Sequence, residues 1–247
     1  MKSILIKNNF GHKKGTRWRG HEVQRIEAFS DAVFAFAVTL LAVSLEVPKS
    51  FDELLETMKG FVGFALTFAI LFMFWYRQYI YFRKYGIDDK TTIILNGFLI
   101  FSVLFFIFPF KFMSYLIVTM FFGFDENSLK EIINIDKMPE LLSLYLFGIA
   151  LMNFVLGLLY RHALRYRLHL QLNEAEEKEA LGRYFNGMLT LPAFGTAIAL
   201  LFIFPPNQLA YALTPVILLV ISNRLVKSNR LSLKKFMPGA RPFVEEE

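Results

Sequence analysis

The chain has 247 residues, 55% hydrophobic and 17% aromatic, with 29 Phe and a net charge of +6. A soluble domain of this length has no core large enough to hide so much apolar surface, and the absence of Cys excludes disulfides and thiolate metal sites. The positive charges sit beside the ends of long apolar runs, a pattern of membrane topology, and no base-stacking or groove-reading module accompanies them, so no nucleic-acid partner is expected.

Residues 1–25 are polar and basic, with no apolar stretch before a cleavage site, and read as a basic arm rather than a signal peptide. Six apolar segments follow, at about 26–47, 54–82, 93–122, 141–164, 181–204 and 208–225. Each approaches or exceeds the ~20 residues of a spanning helix. Pro48 ends the first, and Pro215 is a potential kink in the sixth. Lys and Arg concentrate in the arm, after segments two and four, and in the tail. The positive-inside rule then puts both termini in the cytoplasm, in agreement with an even number of spans. The expected organisation is a cytoplasmic arm over 1–25, a six-helix membrane domain over 26–228 and a cytoplasmic tail over 229–247.

Between segments, the loop 123–140 has Leu129, Ile132 and Ile133 on one potential helix face, suggesting a short amphipathic helix outside the membrane. The Glu-rich run 173–183 reads as the solvated start of segment five. His162 and His169 read as solvated loop histidines, since two ligands do not make a metal site. No nucleophile elbow, metalloprotease helix or phosphate loop occurs, so no enzyme and no resident cofactor are expected.

The first segment carries ionisable groups that need an explanation. Arg25, Ser30 and Asp31 lie in or at the lip of the membrane, where charge is costly and usually functional. They form either a buried polar knot with neighbouring helices or a hydrated lip with a snorkelling arginine. Trp75, Gln78 and Asn96 are candidate donors to such a knot. Further along, Phe36, Leu40 and Val43 recur at helical spacing, with Thr39 beside them. Spacing alone favours ordinary packing of these residues over a pore constriction. Glu46 at one end, with Glu22 and Glu27 at the other, would draw cations if this helix lined a pore; otherwise they are ordinary charges at helix ends.

The run Arg25-x-x-x-Phe29-Ser30-Asp31-Ala32-Val33-Phe34-Ala35, followed by Thr39-Leu40-Leu41 and Pro48, closely resembles the first helix of the transmembrane protein 175 family. Phe74-Trp75 and Pro109-Phe110 are looser echoes. The resemblance implies a homotetrameric, potassium-permeable cation channel of the plasma membrane, with K+ and other monovalent cations as permeant species. Its pore would be lined by the first helix, with no re-entrant filter loop. Phe36, Leu40 and Val43 would then form the constriction, Thr39 a selectivity-related neighbour, and Glu46 and Glu27 the mouth acids. Arg25, Ser30, Asp31 and Trp75 would form the polar network that supports assembly. Phe36 stands where the family more often has Ile or Leu, and Gln78 and Tyr79 replace histidines common near the end of the second helix. The alternative is a secondary transporter with a proton or cation site at Asp31.

Overall fold

The computed structural model describes residues 17–20, 22–43, 49–122 and 137–203. Segment six, the tail, Glu46, Pro48 and the loop face of Leu129, Ile132 and Ile133 lie outside these residues. Of Val43, only its place as the last residue of its helix is described.

The described residues form five helices: α1 (Arg25–Val43), α2 (Phe51–Tyr85), α3 (Lys90–Phe122), α4 (Met138–Arg165) and α5 (Glu174–Ile203). Three stretches among them, Phe61–Tyr85, Lys90–Phe112 and Pro139–Arg165, are long and apolar enough to cross a membrane. At 1.5 Å per residue, the 35 residues of α2 extend about 52 Å. That exceeds the ~30 Å hydrocarbon layer, so the helix must project beyond it or tilt. Its last turn carries Arg83 and Lys84.

Local chemistry sets several boundaries. Gly86 adopts a positive φ of 60° just past α2, and its N–H closes the helix end on the Phe82 carbonyl at 2.9 Å. The Asp89 carboxylate caps α3 by accepting the Thr92 N–H at 3.0 Å. At α5, Asn173 Oδ1 accepts the Glu176 N–H at 2.9 Å, while Glu176 Oε2 accepts the Asn173 N–H at 3.0 Å. This reciprocal pair satisfies two donors that a helix start leaves open.

α3 is the central element, packed against α1, α2 and α4, while α5 rests mainly on α4. The core runs through Phe74, Tyr81 and Phe82 of α2, Leu99, Phe106 and Ile107 of α3, and Met152, Leu156 and Leu159 of α4. Helices α4 and α5 cross at Gly157 and Gly187. A Cβ built on Gly187 would stand 2.5 Å from the Gly157 Cα, so neither position has room for a side chain. The opposite surface of α3 carries Phe101, Phe105 and Phe108, each 61% exposed. An apolar stripe of that size suits lipid or another protein surface, not water.

The basic end is knitted together by ion pairs. Arg19 of the arm meets Glu176 at 2.8 Å, Arg83 meets Glu27 at 3.2 Å, Lys84 meets Glu179 at 2.6 Å and His162 meets Asp89 at 2.8 Å. Two expectations are corrected here. The start of α5 is not simply solvated, because Glu176 is buried under the arm. His162 is a buried helical residue bound to Asp89, not a solvated loop histidine, whereas His169 is exposed in the turn after α4. Burial by itself would raise the Asp89 carboxyl, but Thr92 and then His162 outweigh it and hold it below the usual carboxylate range.

Candidate functional site

Helix α1 has three distinguishable faces. Glu27, Ser30, Phe34, Ala37 and Leu41 are buried, at alternating spacings of three and four residues. That is the seam by which α1 packs onto its own bundle. Asp31, Ala35 and Val38 border a groove against α2, whose far wall is Phe68, Leu71, Phe72 and Trp75. The third face, Arg25, Phe29, Ala32, Phe36 and Thr39, is exposed throughout. Phe36 is 57% exposed and Phe29 60%, which leaves two large rings mostly uncovered within one chain.

The buried seam is held by hydrogen bonds. The Ser30 hydroxyl donates to the Ile26 carbonyl at 2.7 Å and accepts from Asn96 Nδ2 of α3 at 2.7 Å. Asn96 Oδ1 in turn accepts from Gln78 Nε2 of α2. One polar chain therefore joins three helices inside an apolar core. Each member finds its partner, which removes most of the penalty for burying it. On the groove side, the Trp75 indole N–H donates to Asp31 Oδ1 at 2.7 Å.

The remaining candidates separate. Arg25 is exposed and forms no ion pair with Asp31, so the two charges do not compensate each other within the chain. Glu27 is buried against Arg83 rather than open to a mouth. Arg83 is itself held by the Gly20 carbonyl at 3.0 Å and lies over the Tyr79 ring. Thr39 is exposed, and its hydroxyl bonds back to the Ala35 carbonyl at 3.0 Å. Leu40 is half-buried beside the exposed face.

Described residues that are helical throughout their long elements, with three membrane-capable helices among them, a polar chain fixing the first helix and one face of that helix exposed, define a multi-span membrane protein. Comparison with known proteins narrows this. Residues 25–109 match the family described as "Endosomal/lysosomal potassium channel TMEM175". A protein named "Potassium channel" from Marivirga tractuosa is 36% identical over 164 residues, covering 64% of this chain and 66% of its own length. A potassium channel of Chamaesiphon minutus is 33% identical over 96 residues, covering 36% of this chain and 47% of its own. The chain thus spans just under two thirds and about half of these relatives. A crystal structure of a variant of the potassium channel MtTMEM175, bound to a nanobody–MBP fusion, superposes with a TM-score of 0.74 at 29% identity. It covers 88% of this chain and 96% of that one. The chain is thus similar to the TMEM175 channels in sequence, over residues 25–109, and in fold.

Proposed function

We propose that this protein is a potassium-permeable cation channel, conducting passively through a central pore lined by α1 from four copies. The carrying observation is the unpacked stripe Arg25–Phe29–Ala32–Phe36–Thr39 on a helix whose opposite face is fixed by the Ser30–Asn96–Gln78 chain. A helix anchored on one side and free on the other is suited to line an axis shared with other copies. The family match over residues 25–109 and the printed names of the relatives support potassium as the permeant ion.

In this arrangement Phe36, with Leu40 and Val43 further along, forms an apolar constriction that gates by excluding water. Thr39 sits beside it as the selectivity-related hydroxyl. Glu46 attracts cations at one mouth, and Asp31, Trp75, Ser30 and Arg25 serve assembly. Glu27 is tied to Arg83 and supports the helix from within its own bundle. The channel needs no catalytic group and no cofactor. It spans the plasma membrane six times with both termini in the cytoplasm, an orientation supported by the basic cluster of Arg19, Arg83, Lys84 and Arg167 at one end.

Single-channel recording in a planar bilayer, with potassium on one side and sodium on the other, tests the reading. Discrete openings that reverse toward the potassium potential are expected. Asp31 gives the second reading its one specific support: a carboxylate in an apolar groove, with a neutral indole as its partner. A transporter built on it would show slow, saturable, coupled uptake and no openings, and Asp31→Asn would abolish its flux.

A further inference from the structure

Arg19, Arg83, Lys84, His162 and Arg167 each have a carboxylate within ion-pair distance. Arg77 does not. It lies on α2 inside the apolar stretch Phe61–Tyr85. Its Nη1 donates to Asn153 Oδ1 of α4 at 2.6 Å, and its guanidinium lies over the Phe74 ring. Its Nε is buried with no hydrogen-bond partner. The Asn153 amide cannot supply negative charge, and its Nδ2 already donates to the Ile149 carbonyl at 2.7 Å.

A second guanidinium, Arg183 of α5, also lacks a carboxylate partner among the described residues. Arg183 lies one turn from the helix crossing, on the same face of α5. Gly187, one turn from Arg183, lets α5 approach α4 until its missing Cβ would fall 2.6 Å from the Asn153 carbonyl oxygen. Two like charges held together in a low-dielectric region are costly unless an anion joins them.

The level of the pair in the bundle identifies the anion. Arg77 precedes Arg83 by six residues, about 9 Å along the helix, and is flanked by Trp75, Tyr76 and Tyr79. Such aromatic side chains mark the headgroup level of a membrane. Met73, one turn further into the apolar stretch, is 44% exposed and offers acyl chains an apolar bed. We propose that Arg77 and Arg183, with Asn153 between them, bind the phosphate of an anionic phospholipid in the crevice between α2, α4 and α5. A phosphodiester accepts hydrogen bonds from the guanidinium N–H groups and supplies the negative charge that Asn153 lacks. Basic pockets between membrane helices are a recurrent way of holding such headgroups.

The test is binding, so it does not depend on the channel reading. Purified full-length protein in mild detergent is titrated with phosphatidylglycerol, phosphatidylcholine or inorganic phosphate, and thermal unfolding and native mass spectra are read. Phosphatidylglycerol is expected to raise the unfolding temperature and remain bound. Arg183→Gln should weaken that binding about tenfold, a loss of one charge-assisted contact, while exposed Arg161→Gln should leave it unchanged. Asn153→Asp keeps a partner for Arg77 and supplies the charge from the protein, so it should be stable without lipid and lose the response to phosphatidylglycerol. Equal stabilisation by phosphatidylcholine, or a response that survives both Arg183→Gln and Asn153→Asp, overturns the site. Equal stabilisation by inorganic phosphate overturns the lipid as its occupant.

Discussion

Asn96 donates to the Ser30 hydroxyl at 2.7 Å inside the apolar core, and so binds α1 to α3 by a polar contact between two buried residues. Ser30 Oγ spends its own proton on the Ile26 carbonyl, and Asn96 Oδ1 is occupied by Gln78. The chain has a single direction, with each group fixed as donor or acceptor by the next. Asn96→Leu therefore strands Gln78 Nε2 and removes the donor to Ser30. The expected cost is about 2–3 kcal/mol, read as a lower unfolding temperature of the purified protein. Ser30→Ala removes only one end and should cost less. Equal stability of Asn96→Leu and the parent would show that the chain carries no net energy.

Trp75→Phe keeps an aromatic ring in the groove but removes the indole N–H that Asp31 accepts at 2.7 Å. Asp31→Asn preserves an acceptor oxygen in the same place. Weaker assembly is therefore expected from Trp75→Phe than from Asp31→Asn, measured as the share of tetramer after crosslinking or in native mass spectra. Asp31→Ala should also weaken assembly, because Trp75 then loses its acceptor. No ion pair with Arg25 is lost inside the chain, since Arg25 does not pair with Asp31 there. Identical tetramer fractions for all three variants would remove the indole–carboxylate bond from assembly.

The crossing of α4 and α5 gives a contrast between two glycines on the same helix. At Gly187 a Cβ meets backbone of α4 at 2.5 Å, whereas at Gly195 it meets nothing within 4 Å. Gly187→Ala should destabilise the protein by about 1–3 kcal/mol through forced separation of the helices. Gly195→Ala should be neutral or stabilise by up to about 1 kcal/mol, because alanine loses less backbone freedom in a helix. Thermal unfolding of the two variants side by side checks both signs.

Much of the architecture was legible because membrane helices announce themselves by length and composition. Segments one to five fall on α1 to α5 to within several residues. Asn96, Trp75 and Gln78 could be singled out because a polar group in an apolar run needs a partner. Which partner each takes was not legible, since Gln78, Asn96 and Ser30 belong to three helices whose relative rotation no local pattern encodes. The same limit hid Glu176. Asn173-x-x-Glu176 is a readable capping box, but its contact with Arg19 lies 157 residues away in sequence. His162 was misread for the same reason, its carboxylate partner being 73 residues distant. Arg77 gives no local sign of its amide partner Asn153, which lies 76 residues away in sequence.

Phe36→Ala removes the largest exposed side chain from the middle of the free face of α1. If four copies of this face surround the pore, the constriction widens by four phenyl rings and wets more readily. Basal potassium conductance should rise severalfold, with weaker discrimination against sodium, and protein stability should change little because the ring is mostly exposed within its own chain. Liposome flux and bilayer recording measure the first effect, and thermal unfolding the second. Unchanged currents from a well-folded mutant would take Phe36 out of the gate.

The arm contact should respond to acid. Burial by itself raises the Glu176 carboxyl, but Arg19 and the N–H groups of Arg17 and Asn173 outweigh it and hold it below its ordinary value of 4.5. A carboxyl depressed in the folded state contributes stability that is present above its unfolded value and is lost as the pH falls through the folded one. Asp89, also depressed, acts in the same direction. Glu177 acts in the opposite one, because burial raises it despite Arg167. Stability should therefore be flat around neutrality and fall below pH 4.5. Glu176→Gln removes the charge that Arg19 meets at 2.8 Å and should cost about 3 kcal/mol at neutral pH. The variant should also show a shallower acid limb than the parent. Proteolysis at the arm should accelerate in parallel, because Arg19 and Gly20 are held on the Arg83 carbonyl only while the arm stays docked. Parallel acid limbs for parent and variant would mean that the pair does not hold the arm.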